Sequence, residues 1–545
     1  MLDLPPSSGR TNGTPAISDR ARNLAALAQD TTWDVLVIGG GATGLGIALD
    51  AASRGLKVAL VEAHDFAKGT SSKATKLVHG GVRYLAQGHI ALVKEALHER
   101  AVLLANAPHL VQPVPFVMPT YHFWESAMYG TGLRMYDALA ASDRLPPTES
   151  LSKAQTEDLL PNVNRAGLRG GIRYWDAQFD DARLAIALAR TAAQHGALAI
   201  NYMAVTDLLH NSQGLVAGAH VRDAETGQQF TLQARCTINA TGVWVDHIRQ
   251  FDERDAEAAV TPMVSPSQGS HLVVERHFWP GNNALLVPKT SDGRVLFAVP
   301  WLGHVILGTT DHPRTDSPID PMPTPADAGF ILQEAARYLA HPPTKADVRS
   351  QWAGLRPLVR PVQATSQGNT KSLSREHTVH ISAHGLVSVT GGKWTTYRAM
   401  AEDVIRQCQM ANLIPVKLPS CQTTRLPLVG SPGASVSADR THTLQQPPGL
   451  AQYGQEAAIV QALPGADQRV HCKTTLTEAM VRFAARHEYA RTVEDVLGRR
   501  SRLLFLDAAQ AIQAAPRVAE ILAEELDHPV DTTAFLTLAA QYQLV

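Results

Sequence analysis

Three glycines, Gly39, Gly41 and Gly44, follow a short apolar run at the spacing G-x-G-x-x-G and precede residues suited to a helix. The first glycine permits a tight turn, the second lets backbone N–H groups approach a pyrophosphate, and the third lets the helix pack closely on its strand. The diphosphate then lies at the positive end of the helix. Glu62 ends a second apolar run, where a carboxylate accepts hydrogen bonds from a ribose and repels a 2′-phosphate. The segment predicts a dinucleotide site for FAD or NAD and disfavours NADP.

A second motif, GGKWTTYR at residues 391–398, also has the residue types of a ligand site. Strand-like residues run into two glycines and then into threonines that can cap a helix. Backbone N–H groups and the positive helix end would face a ligand there, which suits a reduced flavin because its N1/O2 edge becomes negative after accepting hydride. An ordinary capped helix is the alternative interpretation. Read together with the first motif, the segment favours FAD.

Helix and strand patterns alternate around these two motifs, as in an α/β fold. Capping residues and apolar spacing predict helices over residues 18–29, 90–105, 181–195 and 395–409. Strand patterns occur at residues 198–205, 215–221, 230–238, 378–381 and 386–389, with a hairpin formed by 215–221 and 230–238. Short strand-like runs joined by Gly and Pro turns predict an antiparallel sheet between residues 269 and 311.

These elements predict a discontinuous Rossmann-like nucleotide domain with an inserted antiparallel-sheet domain and a C-terminal helical domain. The nucleotide domain is assigned to residues 17–115, 166–250 and 371–410. The substrate side is assigned to residues 116–165, which are interpreted as irregular because Gly and Pro recur there, and to residues 251–370. We expect residues 1–16 to be a disordered tail, 411–455 to be a proline-rich linker and 456–545 to be helical.

Composition disfavours several classes of protein. The chain has 545 residues, with 49 Lys and Arg against 50 Asp and Glu, so its net charge gives no reason to expect nucleic acid as a partner. Its four cysteines are widely spaced and form no CxxC pair, so neither a zinc site nor an iron–sulfur cluster is expected. We expect a large soluble protein of a reducing cytosol, without a metal centre.

The longest run without a charged residue, Ala101–Trp124, raises the question of a membrane span. Four prolines within the run make a spanning helix implausible. Apolar residues continue to Tyr136, and the whole stretch is compatible with docking on a membrane surface. Packing in the core is the more common origin of such apolarity, and from the residues alone we favour it.

Eight motifs together resemble FAD-dependent, quinone-linked glycerol-3-phosphate dehydrogenases of the aerobic type. They are Gly39–Gly44, Gly69-Thr-Ser-Ser72, KLVHGGVRYL at Lys76–Leu85, Asn239-Ala-Thr-Gly242, Gly269-Ser-His271, Gly308-Thr-Thr-Asp311, Gly354-Leu-Arg-Pro357 and GGKWTTYR at Gly391–Arg398. They occur in the order of that family and span about residues 17–410. The resemblance implies a D-amino-acid-oxidase-like architecture with a sheet-based substrate domain over the flavin.

The resemblance implies a noncovalent FAD site built from several segments. The implied cofactor residues are Gly39, Gly41, Ala42, Thr43, Gly44, Glu62, Ser71, Ser72, Lys76, Leu77, His79, Gly80, Thr241, Gly242, Gly392, Lys393, Trp394 and Thr395. His79 is interpreted as a structural or flavin contact rather than as a base. Lys73 and Ala74 depart from the small polar residues that are usual for the family at these positions.

The resemblance also implies a phosphate-binding substrate pocket. The implied residues are Arg83, Tyr84, His271, Arg356, Arg375 and Lys393, and arginine forks suit the oxygens of a phosphomonoester. For Arg375, in a polar run, a surface ion pair is an equal alternative. A core position is an alternative for Tyr84.

Oxidation of a secondary alcohol requires a base near the carbon that loses hydride. We choose His271, because imidazole titrates near working pH and the resemblance places this histidine in the pocket. Arg356 and Lys393 complete the implied catalytic set. Arg356 would orient the hydroxyl or stabilise charge on its oxygen, and the sequence leaves open which residue removes the proton.

The predicted activity is oxidation of sn-glycerol 3-phosphate to dihydroxyacetone phosphate, with hydride passing to FAD and electrons to a membrane quinone. An oxidase that uses oxygen and a non-catalytic dinucleotide-binding regulator are the alternatives, and the regulator has no need of Arg83, His271, Arg356 and Lys393 together. We expect a cytoplasmic protein attached peripherally to the inner face of the cell membrane. A homodimer is left open.

Overall fold

The computed structural model describes residues 18–86, 88–141, 143, 145–253, 261–360, 376–432 and 443–544, without the side chains of Arg83 and Ala86. The expected disordered tail, residues 1–16, lies outside the described residues. Arg375 and parts of the proposed segments 251–370, 371–410 and 411–455 also lie outside them.

Helices and strands alternate along most of the described chain. The helices are α1 (Arg20–Leu27), α2 (Ala42–Ser53), α3 (Val82–Ala86), α4 (Ile90–Asn106), α5 (Phe123–Leu139), α6 (Lys153–Leu159), α7 (Asp181–Gln194), α8 (Val245–Asp252), α9 (Pro325–Tyr338), α10 (Tyr397–Met410), α11 (Ala457–Gln461), α12 (Glu478–His487), α13 (Leu503–Leu506), α14 (Ala508–Leu526) and α15 (Thr533–Tyr542). The strands are β1 (Thr32–Ile38), β2 (Val58–Val61), β3 (Leu77–Val78), β4 (Val111–Thr120), β5 (Glu149–Ser152), β6 (Gly170–Phe179), β7 (Leu198–Ile200), β8 (Met203–His210), β9 (Val216–Asp223), β10 (Gln229–Asn239), β11 (Val264–Glu275), β12 (Ala284–Val287), β13 (Leu296–Trp301), β14 (His304–Gly308), β15 (His312–Pro313), β16 (Val348–Val359), β17 (His377–Ile381) and β18 (Val387–Gly391).

The first sheet, which we call the nucleotide sheet, has the order β17-β18-β10-β1-β2-β7, with β9 and β8 added beside β10. Strands β18, β10, β1, β2 and β7 run parallel. Because α2, α7 and α10 cover one face and further apolar residues cover the other, the central strands are buried on both faces, as their continuous apolar runs require. Its strands come from three separated segments of the chain, so the predicted discontinuous Rossmann-like fold is confirmed.

The second sheet has the order β15-β11-β14-β13-β12-β4-β6-β3, with β16 paired to β11 and β5 to β6. All its pairs are antiparallel except β4 with β12. The four strand-like runs expected between residues 269 and 311 lie in β11, β12, β13 and β14. Strands β3, β4 and β6 also join this sheet, although the sequence placed residues 77–115 and 166–179 in the nucleotide domain.

The interpretation of residues 116–165 as irregular is wrong. They contain the end of β4, the 17-residue helix α5, β5 and α6. Prolines at positions 113, 115 and 119 lie within β4. Strand β6 pairs with β4 along its whole length, whereas β12 pairs with it only at Phe116 and Val117. A strand can therefore contain these prolines at positions where no neighbouring strand needs a hydrogen bond from the backbone nitrogen.

The predicted helices over 18–29, 90–105, 181–195 and 395–409 are present as α1, α4, α7 and α10. Their ends differ slightly, since the side chain of Asp19 rather than Ser18 caps α1, and a 3₁₀ turn over Trp394–Thr396 precedes α10. The hairpin is formed by β9 and β10. The expected strand over 198–205 is divided between β7 and β8.

The C-terminal region packs a helical core against the second sheet, with buried residues of α12, α14 and α15 beside Trp301 and Trp352. This confirms the predicted helical C-terminal domain. Within the described part of the chain, every helix is too short or too polar to cross a lipid bilayer.

Candidate active site

A cavity of about 590 Å³ opens at the carboxyl ends of the parallel strands of the nucleotide sheet. This edge of a parallel sheet is where nucleotides bind in doubly wound folds. Residues that follow β1, β2, β10 and β18 line it, among them Gly39, Gly41, Ala42, Thr43, Glu62, Ser71, Thr241, Gly242, Gly391, Gly392, Lys393 and Trp394. The two motifs of the sequence therefore meet in one cavity.

Helix α2 begins at the cavity wall. Gly41 occupies its N-cap position without a side-chain cap, and the N–H of Ala42 donates a 2.9 Å hydrogen bond to Ser71 Oγ. A Cβ on Gly39 would lie 2.7 Å from the carbonyl oxygen of Ala240, and a Cβ on Gly44 would overlap the carbonyl oxygen of Gly39. Glycine is therefore required for the close approach of strand and helix, and the positive end of α2 remains directed at the cavity. These features fit a pyrophosphate.

The carboxylate of Glu62 is held by two backbone donors. The N–H of Gly40 donates to Oε2 at 2.6 Å and the N–H of His64 donates to Oε1 at 2.8 Å. Burial raises the pKa of Glu62 above its usual value, although these two hydrogen bonds oppose the shift. The carboxylate lines the cavity with a fixed orientation, as ribose recognition requires.

The segment after β18 closes another wall. Gly391 and Gly392 have φ of 83° and 73°, a left-handed conformation that favours glycine. Lys393 is extended and Trp394 begins a 3₁₀ turn that leads into α10. The Nε1–H of Trp394 donates to the carbonyl oxygen of Ser71 at 2.8 Å, so this segment is fastened to the loop beside α2.

His271 lies on β11 of the second sheet and is buried. Its Nε2 is 2.9 Å from Thr75 Oγ1, and its ring stacks on Trp352 with centroids 5.1 Å apart. Burial lowers the pKa of His271 well below its usual value, and the charges of Arg356 and Lys76 lower it further. The folded protein therefore favours the neutral imidazole, which is the form that accepts a proton.

Arg356 lies on β16, the strand paired with β11. Its Nη1 donates to Asp311 Oδ1 at 3.1 Å, and its Nη2 donates to Thr309 Oγ1 at 3.2 Å. A Cβ on Gly269 would collide with the guanidinium, so the glycine of the Gly269-Ser-His271 motif makes room for this arginine. The adjacent Pro357 lines the cavity. Arg356 and His271 thus lie close together beside the cofactor cavity.

Tyr84 and Lys393 form a second pair of predicted substrate residues. The Nζ of Lys393 lies 4.0 Å from the centre of the Tyr84 ring, in a cation–π contact. Gly81 has a φ of 83°, and a Cβ there would meet the Tyr84 ring at 2.5 Å and the ammonium of Lys393 at 3.4 Å. The KLVHGGVRYL and GGKWTTYR motifs therefore contact each other. Arg83 lies in α3, and its side chain is outside the described residues.

Lys76, which the resemblance assigns to the cofactor site, is not among the residues that line the cavity. Its Nζ donates to Asp181 Oδ2 at 2.6 Å and to the carbonyl oxygen of Ser72 at 2.7 Å, so it contacts the residue next to Ser71 of the cavity wall. Burial lowers the pKa of Lys76 to about 7, and the neighbouring Arg502 contributes in the same direction. Among the described residues predicted to bind the cofactor, the others that do not line the cavity are Gly44, Ser72, Leu77, His79, Gly80 and Thr395.

Sequence reasoning missed two partners of the side chains that it predicts to be catalytic. Thr75 contacts His271, and Asp311 accepts a hydrogen bond from Arg356. Asp311 ends a motif that carried the family resemblance, so a role for its carboxylate could have been considered. Thr75 had no comparable signal, because its contact joins the loop before β3 to β11, 196 positions further along the chain.

Comparison with protein-family models gives two matches. Residues 34–398 match the family described as FAD dependent oxidoreductase, and residues 421–532 match the C-terminal domain of alpha-glycerophosphate oxidase. The first match covers more than half of the chain.

Similar proteins of known name are glycerol-3-phosphate dehydrogenases. The mitochondrial glycerol-3-phosphate dehydrogenases of Rattus norvegicus and Homo sapiens are each 41% identical, over 93% of this chain and 72% of their own length. The enzyme of Schizosaccharomyces pombe is 38% identical, over 92% of this chain and 85% of its own.

Among solved structures, the glycerol-3-phosphate dehydrogenase from Bacillus halodurans complexed with FAD is similar with a TM-score of 0.75 and 29% identity, covering 97% of this chain and 98% of that one. An L-alpha-glycerophosphate oxidase from Mycoplasma pneumoniae shares the fold, with a TM-score of 0.55 and 18% identity over 72% of this chain and 98% of that one. With the family match over residues 34–398, these relationships show that the chain belongs to the FAD-dependent glycerol-3-phosphate dehydrogenase family.

Proposed function

We propose that the protein oxidises sn-glycerol 3-phosphate to dihydroxyacetone phosphate, with noncovalently bound FAD as the hydride acceptor and a membrane quinone as the final electron acceptor. The observation that carries this proposal is the buried His271, whose neutral form is favoured by burial and by the charge of Arg356. It lies on the strand paired with that of Pro357, which lines the dinucleotide cavity. A regulator that only binds a dinucleotide has no need of this arrangement.

His271 is assigned the role of base. Loss of hydride from C2 of the substrate is accompanied by loss of the hydroxyl proton, which we assign to Nε2 of His271. Its present neighbour, the Thr75 hydroxyl, can rotate and accept a hydrogen bond from the protonated ring. Arg356 remains cationic beside Asp311, so it is suited to orient the substrate oxygen rather than to remove a proton.

The phosphate is assigned to cationic side chains that approach from several segments. Lys393 lines the cavity and contacts Tyr84, and Arg356 of the second sheet directly precedes Pro357, which also lines the cavity. Arg83 and Arg375 complete the proposed set on the strength of the family resemblance. Forked guanidinium groups and an ammonium together match the charge and the donor requirement of a phosphomonoester.

Attachment to a membrane surface is supported by the exposed face of α5. Phe123 is 82% exposed, and Trp124, Met128 and Met135 are each about half exposed. Trp124, Met128 and Met135 recur at spacings of four and seven residues, so they share one side of the helix. Large apolar side chains that line one face of an amphipathic helix bind in the interfacial region of a bilayer, where a quinone would be reached.

Anaerobic reduction tests the proposed reaction. The purified holoprotein should lose its flavin absorption when glycerol 3-phosphate is added without oxygen, and a quinone analogue should restore it. Bleaching by glycerol alone would contradict the phosphate site. Fast recovery with oxygen and no recovery with the quinone analogue would favour an oxidase.

Flotation with vesicles tests the attachment. The Phe123→Ser/Met128→Ser variant should lose binding to anionic phosphatidylglycerol vesicles. The matched control, Met410→Ser/Val416→Ser, removes two other exposed apolar side chains, away from α5, and should keep this binding. Equal flotation of both variants would exclude α5 as the docking helix.

A further inference from the structure

Two histidines and an aspartate converge at the edge of the nucleotide sheet, away from the cavity. His210 ends β8, His384 lies in the turn between β17 and β18, and Asp252 ends α8. One possible ligand atom from each of the three lies within 4.8 Å of the others. The cluster joins three elements that are separated along the chain.

The distances around the Asp252 carboxylate suit a small cation. Oδ1 lies 3.4 Å from His210 Nε2 and 3.3 Å from His384 Nδ1. Ligands at about 2.1 Å from a tetrahedral zinc ion are about 3.4 Å apart, which is close to both distances. In the absence of a cation, hydrogen bonds from the imidazoles to the carboxylate occupy the same geometry.

Burial of the carboxylate is the second observation that points to a ligand. The side chain of Asp252 is 1% exposed, and its Oδ2 has no hydrogen-bond partner among the described residues. A buried carboxylate oxygen without a partner is costly, and a bound cation offsets that cost. The imidazoles of His210 and His384 are 31% and 47% exposed, so the cluster can be reached from solvent.

Local structure holds the histidines in place before any cation binds. The backbone oxygen of His384 accepts a hydrogen bond from Val216 at 2.8 Å, and Ser382 and Leu386 close the turn on either side of it. His210 is paired with Val216 in the β8–β9 ladder. The two histidines are therefore carried by backbone segments that are tied to the same residue of β9.

We propose that His210, Asp252 and His384 form a binding site for a divalent transition cation of the zinc class. Two imidazole nitrogens and one carboxylate oxygen are ligands that zinc accepts, with water in the remaining position. The cation would fasten the end of α8 to the sheet. Because His247 and Ile248 of the same helix line the cofactor cavity, the site would stiffen one cavity wall.

Zinc titration of the FAD-loaded protein, after treatment with a chelator, tests the proposal. Calorimetry should give about one Zn²⁺ per chain at this site, with a rise in melting temperature, and Mg²⁺ should give neither because it prefers oxygen ligands. His384→Ala and His210→Ala should each weaken Zn²⁺ binding by at least about tenfold.

His220→Ala is the matched control, because His220 is a partly buried histidine on β9 of the same sheet, outside the cluster. It should leave the Zn²⁺ affinity unchanged. Lack of Zn²⁺ binding, or equal weakening by the control, would overturn the proposal. Flavin absorption and circular dichroism identify any variant that fails to fold, and in that case His210→Gln and His384→Gln replace the alanine variants.

Discussion

The indole Nε1–H of Trp394 donates to the carbonyl oxygen of Ser71 across 323 positions of the chain, at 2.8 Å. Both residues line the cofactor cavity. The Trp394 ring also packs edge-on against Phe179 of the second sheet. This single side chain therefore holds together the loop beside α2, the turn after β18 and the sheet that carries His271.

Trp394→Phe should weaken FAD binding. The substitution keeps an aromatic ring but removes the hydrogen bond to Ser71, which is worth about 1 kcal/mol, or roughly fivefold in affinity. Flavin fluorescence during dilution of the holoprotein measures the dissociation constant. Trp279→Phe is the control, because it removes a buried indole hydrogen bond to Asn283 in the second sheet. Equal affinities of the two variants would show that the Trp394–Ser71 contact does not support the cavity.

Gly44→Ala should release FAD and lower thermal stability. Its Cβ would overlap the carbonyl oxygen of Gly39, so α2 would have to move away from β1 at a cost of about 1–3 kcal/mol. Gly132→Ala is a matched change within helix α5, where no atom lies within 4 Å of the new Cβ. This control should be neutral or stabilising by up to about 1 kcal/mol. The flavin content after gel filtration and the melting temperature decide between the two outcomes.

Arg356→Ala should lose turnover but retain FAD. Removing a charged hydrogen-bonding group from the substrate corresponds to about 1.5–3 kcal/mol, or roughly a ten- to 150-fold fall in kcat/KM. Arg349→Ala is the control, because Arg349 is another arginine of β16 and its side chain, which pairs with Glu275, is 41% exposed. This variant should leave turnover near normal. Loss of flavin absorption in Arg356→Ala would show that the residue supports the cofactor instead.

The parts of the fold that sequence could predict are those set by local pattern. Gly39–Gly44 and the glycines before Trp394 predict turns whose backbone conformations favour glycine. The cavity lies between these two segments. Residues 116–165 were misread because prolines usually end strands, whereas β4 accepts them opposite β6. The contact between His271 and Thr75 could not be predicted, because it depends on how β11 and β16 approach the loop that contains Thr75.

His271→Gln should reduce kcat by roughly 10²- to 10⁴-fold, the usual contribution of a general base. Burial holds the pKa of His271 well below 6.5, so the proposed base is already deprotonated at neutral pH. Wild-type kcat/KM should therefore stay level as pH falls from 8 to 6.5 and decline only at lower pH. The variant should lack that decline.

His304→Gln provides the comparison, since burial also lowers the pKa of His304, on β14. Turnover and its pH profile should survive this change. An acidic limb centred at or above pH 6.5, or one that persists in His271→Gln, would assign the base to another group.

Arg502, in the C-terminal region, contacts the loop that contains Ser71 and Ser72 beside the cavity. Arg502→Met should destabilise this loop. Arg502 is fully buried and donates to the carbonyl oxygen of Ser72 at 2.8 Å and to Asp181 Oδ1 at 3.1 Å. Methionine fills the space beside Phe505 but leaves Asp181 with Lys76 as its remaining charged partner. Breaking a buried ion pair in this way costs about 3–5 kcal/mol.

Thermal melting of the holoprotein, followed by flavin fluorescence, measures the effect of Arg502→Met on stability and on FAD release. Arg482→Met is the control, because Arg482 pairs with Glu524 and Glu525 near the surface of the same C-terminal region. Loss of these ion pairs near the surface costs less free energy, so Arg482→Met should leave FAD release unchanged. If both variants melt at the same temperature and release FAD at the same rate, the helical C-terminal region does not stabilise the cofactor loop through Arg502. A larger effect of Arg502→Met on both measurements assigns that region a direct part in keeping Ser72 and its neighbours under the flavin cavity.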